Sequence, residues 1–215
     1  MAAKESDTPG VPKVTLTTFA EYLTAPSSAR IDCVRQQIRL YGQDYHPGPS
    51  FYRDFVDAVV EGRRTGADEL VLQRVVKAQR GDTRREHYVT LARHWLALSE
   101  LRLPMAPCGR AVWITSRLSV SIRPDFAVMD AEGRVLVVKL WLKEQALATD
   151  AARAGLRLLD RHMAQLSAGA TPLIVDVRRE KIHKQPRRAI KRGFDDWLES
   201  EAEAMGGLWL RLAAA

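Results

Sequence analysis

Between residues 178 and 192 the chain reads RREKIHKQPRRAIKR, and eight of these fifteen residues are Lys or Arg: Arg178, Arg179, Lys181, Lys184, Arg187, Arg188, Lys191 and Arg192. Only Glu180 opposes them. Like charges repel, so such a concentration costs stability unless the groups are solvated or meet phosphates. The pattern places the run at the end of a strand, in a loop and in the first turns of a helix. A helix N-terminus carries partial positive charge that binds phosphate but disfavours Arg and Lys. Basic residues put there nonetheless point to a polyanion. The alternative is a solvated basic face, balanced by Asp195, Asp196, Glu199, Glu201 and Glu203 further along.

The charge of the whole chain leans the same way. Residues 1–82 hold 11 Lys/Arg against 11 Asp/Glu, a net of zero, so the formal +7 lies wholly in residues 83–215. Such asymmetry marks a polyanion-binding half, or a solvated basic surface. Nearly half of the residues are apolar, enough for a sizeable core in one large domain or a domain with a helical extension. The first residues, MAAKESDTPGVPK, hold no apolar stretch, so no signal peptide is expected, and no window reaches the roughly 18 apolar residues of a membrane span. Cys33 and Cys108 lack CxxC spacing, which fits two ordinary thiols in a reducing compartment. The expected location is cytoplasmic.

The elements that must position the charges follow from periodicity. Residues 1–13 read as a flexible tail and 14–82 as helices, with apolar stripes Ile31/Val34/Ile38, Phe51/Phe55/Val59 and Leu72/Val75/Val76. Ser27 or Ser28 and Asp68 are candidate caps, and Gly42 to Pro49 reads as a turn. A helix from Thr83 carries Tyr88, Leu91, Trp95 and Leu98 on one face, opened by a capping box of Thr83 and Glu86. Then come extended runs at 111–115, 117–122, 125–130 and 134–143. In the last, Leu136, Val138, Leu140 and Leu142 share one face, and Val135, Val137, Lys139, Trp141 and Lys143 the other. A helix over about 146–167, an apolar strand over 171–178 and a helix from Pro186 to the Gly206-Gly207 pair follow, with LWLRL as an edge strand. From residue 83 the order reduces to helix, three strands, helix, strand, helix. The expected class is α+β: a helical region 14–82, then an α/β domain 83–215 with a C-terminal helix.

That order, with Pro124-Asp125 followed by a short hairpin and the strand RVLVVKLWLK, resembles the αβββαβ core of the PD-(D/E)XK, or restriction endonuclease-like, superfamily over about residues 83–180. The chain is also similar to a group of uncharacterised actinobacterial proteins of similar layout, a likeness that supplies no function. The resemblance implies a divalent cation held by two carboxylates, with a Lys on their face to orient water or stabilise charge. Asp125 fits the first carboxylate and metal ligand. The second strand departs from the motif. With Lys139 as the motif Lys, Val137 stands where Asp or Glu belongs; with Lys139 at the carboxylate position, Trp141 stands where Lys belongs. A hard Mg²⁺ ion is poorly served by one carboxylate. Glu86 is a candidate second acid, its alternative being the capping box. Asp125 has the alternative of a surface turn residue, and Lys139 that of a charge snorkelling off a half-buried sheet.

Other motifs are weaker. Arg157…His162 and Arg178…His183 have the RxxxxH spacing of one helical RNase family, but that family needs an all-helical dimeric scaffold. His87 and His94 lack a third ligand, and no Walker loop, GxGxxG or GxSxG occurs. The tryptophans fall on amphipathic faces, with Trp141 set apart because it shares the Lys139 face. Three functions are therefore carried forward. The first is nucleic-acid binding by a degenerate, non-hydrolytic nuclease-like fold with no cofactor. The second is an active Mg²⁺-dependent nuclease using Glu86, Asp125 and Lys139. The third is a protein–protein adaptor docking through residues 14–82. A homo-oligomer is compatible with each.

Overall fold

The computed structural model describes residues 11–42, 51–185 and 192–214, and over them the chain is an α+β fold closed by a C-terminal helix. A short strand, β1 (Lys13–Thr15), opens into α1 (Leu16–Thr24), which Thr15 caps by accepting the Thr18 amide at 3.1 Å. Helices α2 (Arg30–Gly42), α3 (Arg53–Thr65), α4 (Asp68–Ala78) and α5 (Asp82–Ala97) follow. Strands β2 (Met105–Ala106), β3 (Ala111–Ile114), β4 (Ser119–Ile122), β5 (Phe126–Met129) and β6 (Val135–Trp141) come next. After them run α6 (Thr149–Arg161), the single turn α7 (Met163–Leu166), β7 (Thr171–Asp176), β8 (Lys181–Lys184) and α8 (Phe194–Ala213).

The main sheet has the order β2-β5-β6-β7-β8. β5 and β6 form an antiparallel hairpin, β6 and β7 are parallel across the α6 crossover, and β8 returns antiparallel along β7 as an edge. The alternation read from β6 holds. Val137 and Trp141 enter one core with Phe19 of α1 and Leu156 and Leu159 of α6. Val138 and Leu140 enter the other with Phe55 of α3, Leu72 of α4 and Tyr88, Leu91 and Trp95 of α5. Both faces of the sheet are thus covered by helices, which is why β7, between two strands and two layers, is apolar almost throughout. The helices of residues 14–82 are divided between the two layers, α1 and α2 on one and α3 and α4 on the other, and Val34, Phe55, Val59 and Leu72 of their apolar stripes are buried there.

Several elements differ from the sequence reading. The extended runs at 111–115 and 117–122 leave the main sheet. As β3 and β4 they form a hairpin joined by β1, because Trp113, Val120 and Ile122 pack with Phe19 and with Met205 of α8. The main sheet takes its first strand from β2 instead. Residues 12 and 13 are not tail: Lys13 pairs with Ser119, and the Pro12 carbonyl accepts the Ser119 amide at 2.9 Å. Ile31 is exposed, while Val34 of the same helix is buried. The 146–167 helix starts at Thr149 and is interrupted at His162, whose φ of −109° is not helical. Gly206-Gly207 does not stop the last helix, and LWLRL is helical rather than an edge strand. A Cβ on Gly206 would stand 2.2 Å from the Arg117 carbonyl oxygen, so the glycine serves close approach of α8 to the β3–β4 turn. The turn expected at Gly42 to Pro49 lies, from residue 43 on, outside the described residues.

Candidate nucleic-acid interface

Asp125 is the residue just before β5, and the β5–β6 register, Phe126 opposite Val138, brings it beside Lys139. The Asp125 amide donates to the Val138 carbonyl at 2.9 Å, which fixes its backbone on the sheet. One carboxylate oxygen takes the Lys139 ammonium at 2.9 Å, and the other takes the Leu140 amide at 2.6 Å. The pair is largely covered, with side chains 12% and 17% exposed. Asp125 and Lys139 are thus on adjacent strands with side chains together, and neither is an isolated surface charge.

Glu86 does not join them. It is exposed on α5, two residues from the inward-facing Tyr88, and α5 covers the face of the sheet opposite to Lys139. Nor does it close a capping box: Gly81, with φ of 92°, is the N-cap and no side chain caps the helix. Val137 and Trp141 flank Lys139 as core residues, Trp141 only 2% exposed with its indole Nε1 donating to the Gln145 carbonyl at 2.7 Å. A Mg²⁺ ion would need oxygens that this site does not offer. Both oxygens of Asp125 are engaged, one of them by a cation already. Among the described residues, no group of three or more His, Cys, Asp or Glu side chains could hold a metal ion. The donor set therefore does not fit the cation that the resemblance implies.

The basic run divides into two kinds of residue. Arg178, in a short 3-10 turn after β7, donates from Nε to the Leu142 carbonyl at 2.9 Å and from a terminal nitrogen to His87 Nδ1 at 2.7 Å. A guanidinium only donates, so His87 Nδ1 is the acceptor of this bond. Glu144 lies 3.5 Å from the same nitrogen. Arg179 pairs at 3.2 Å with Asp176 and donates to the Glu144 carbonyl. These two arginines hold the carboxyl ends of β6 and β7 together. Lys181 and Lys184 are different: both are exposed on the edge strand β8. Arg192 is exposed in the turn before Phe194, where α8 begins. Pro186, Arg187, Arg188, Ile190 and Lys191 lie outside the described residues. On α8, Asp195 is not a neutralising neighbour of the run. Its carboxylate is held below the usual range by hydrogen bonds from Arg157, at 2.9 and 2.7 Å.

Sequence reasoning missed Asp176 and the wall around His87. Asp176 is 1% exposed and receives the Leu147 amide at 3.3 Å besides Arg179. An acidic residue closing the apolar strand TPLIVD, with Arg three positions later, was the available signal. The RxxxxH pairs do not come together as a site. Arg157 binds Asp195, His162 Nδ1 bonds the Leu158 carbonyl, and His183 lies within β8. His94 contacts Glu180 while His87 contacts Arg178, so the two share no ligand. Cys33 and Cys108 are free thiols, and burial, then Glu21, pushes Cys33 up to about 11, the range of an unreactive thiol. Among the described residues no helix is long and apolar enough to cross a membrane. Compared with known proteins, the chain matches no family model and no curated protein.

Proposed function

We propose that this protein binds nucleic acid through the basic segment 178–192 and does not hydrolyse it, on a fold that is a degenerate relative of the PD-(D/E)XK nucleases. The observation that carries the reading is the contrast between exposed Lys181 and Lys184 on the edge strand β8 and an Asp125 carboxylate whose two oxygens are both engaged inside the protein. Phosphate attraction sums over independent charges and needs no complete constellation, whereas metal-assisted hydrolysis does. The order α5–β2–β5–β6–α6–β7, with the β3–β4 hairpin set aside, supports the nuclease-like part of the proposal.

The test is binding of labelled DNA and RNA followed by anisotropy between about 50 and about 200 mM salt, with cleavage monitored in Mg²⁺ and Mn²⁺. Binding should fall steeply with salt, by a slope of roughly 0.9 per phosphate neutralised on duplex DNA. Replacing Arg187, Arg188, Lys191 and Arg192 with Gln should weaken it on all sequences alike, and Asp125→Ala should leave it unchanged in any variant that remains folded. Metal-dependent cleavage that Asp125→Ala abolishes makes the protein a nuclease instead. Salt-independent or absent binding removes the nucleic-acid reading.

A further inference from the structure

The carboxyl end of β6 borders a cleft of about 420 Å³ that the basic run does not account for. Phe51, Tyr52, His87 and Trp141 give it aromatic walls, and Glu21 and Lys143 form an ion pair at 3.2 Å in its lining. Phe51 is 40% exposed, although its ring meets Tyr52 and His87 edge-to-face with centroids 4.9 and 5.5 Å away. The position is the one where open α/β sheets receive ligands, beyond the carboxyl ends of parallel strands. Its volume lies within the roughly 300–1,000 Å³ of small-molecule sites. A larger cavity of about 730 Å³ beside Arg63, Glu69, Leu70 and Arg102 has no aromatic wall.

The charges select the chemistry. Glu21 and Glu144 in the cleft disfavour a phosphate, so the phosphodiester backbone has no reason to enter. A nucleobase suits the cleft better. Its flat ring stacks on an exposed aromatic, and its edge carries donors and acceptors side by side, the complement of a neighbouring carboxylate and ammonium. The cleft is joined to the basic segment: Arg178, the first residue of that segment, bonds His87 in the cleft wall, and Lys181 pairs in register with Asp176 at the same end of the sheet. Backbone phosphates on β8 would therefore bring a base to the mouth of the cleft. We propose that this cleft receives one unpaired base of a bound single strand, stacked on Phe51 with its edge toward the Glu21–Lys143 ion pair, whose side chains remain 29% and 35% exposed. The inference rests on the nucleic-acid reading above.

A single-stranded oligonucleotide carrying one 5-iodouracil, which photocrosslinks to aromatic side chains it stacks on, tests the cleft directly. The same oligonucleotide carries a fluorophore, so that affinity is read independently by anisotropy. On the wild-type protein the crosslinked peptide should contain Phe51 or Tyr52. In Phe51→Leu, which keeps apolar bulk but no ring, that crosslink should disappear and affinity should fall roughly ten-fold. Thermal melts of both proteins establish that the variant is folded, and the wild-type crosslink map stands without it. Crosslinks confined to peptides of 178–192, or an affinity unchanged in folded Phe51→Leu, overturn the cleft and leave nucleic-acid binding intact. No binding of the oligonucleotide by the wild-type protein overturns both.

Discussion

Asp125 and Lys139 stand 2.9 Å apart under cover of the sheet, whereas Lys181 and Lys184, two strands away on its outer edge, meet solvent. The first pair completes itself: the carboxylate receives an ammonium and an amide, and nothing further is needed to hold it. The edge lysines pay no such internal debt and are open to an external anion. The same division runs through the basic segment, where Arg178 and Arg179 bind carbonyls and Asp176 before Lys181 turns outward. A charge's internal partners, more than its sign or its place in a motif, separate what builds this protein from what is left to bind.

That comparison breaks most visibly at Lys139. Lys139→Met removes the ammonium and leaves the Asp125 carboxylate covered and unpaired. Urea denaturation should show a loss of about 3 kcal/mol, the low end for breaking a buried pair because some exposure remains. Asp125→Asn added to Lys139→Met should recover much of it, and neither variant should alter nucleic-acid affinity while folded. A stable Lys139→Met protein with lost affinity would put Lys139 on the binding side of the comparison. Arg178→Gln comes next. It deletes donors to the Leu142 carbonyl and His87, and should cost about 1.5–3 kcal/mol, as hydrogen bonds to charged groups do. Lys181→Gln with Lys184→Gln should reverse the pattern: unfolding free energy within about 0.5 kcal/mol of wild type, and a salt slope flatter by roughly two, one for each phosphate contact removed.

How much of this was legible depended on whether the cause was local. The two faces of β6 follow from alternation alone, and with them the place of Lys139 opposite Asp125, because a strand has only two sides. Tyr88, Leu91 and Trp95 likewise declare the buried face of α5. The departures all have non-local causes. Gly206 looks like a stop until the Arg117 backbone is found against it. The run at 111–115 looks like a strand of the main sheet until β1, about a hundred residues earlier, is seen to join its hairpin. Thr83 and Glu86 had capping-box spacing, but the helix starts one residue sooner, at Asp82, and Gly81 takes the cap position. The candidate site followed the same rule. The Asp125–Lys139 pair was reachable from two short segments, whereas the cleft draws on Glu21, Phe51, His87 and Lys143 from four distant ones.

The smallest expected effect sharpens the comparison within β8 itself. His183 lies between Lys181 and Lys184 but is half-buried, and it pairs in register with Ile174, whose side chain packs against Gly155 of α6. Its Nε2 is buried without a hydrogen-bond partner in the structure. Burial, then the charge of Lys181, lowers its pKa below the ordinary 6.5, with Asp176 opposing. The folded state therefore favours the neutral ring, while the unfolded chain takes up a proton as pH falls through about 6.5. The unfolded state then binds more protons than the folded one, so stability rises with pH across that window and is lost as pH falls. The loss levels off only below the lowered folded pKa, where both states are protonated. Replacing His183 with Gln removes this contribution and no other histidine's. The difference in unfolding free energy between wild type and His183→Gln, followed from about pH 7.5 to about pH 5 in urea, should shift steadily in favour of the variant as the acid increases. If the two proteins lose stability in parallel over that range, His183 is not held neutral, and covered and exposed positions on β8 do not differ as the comparison requires.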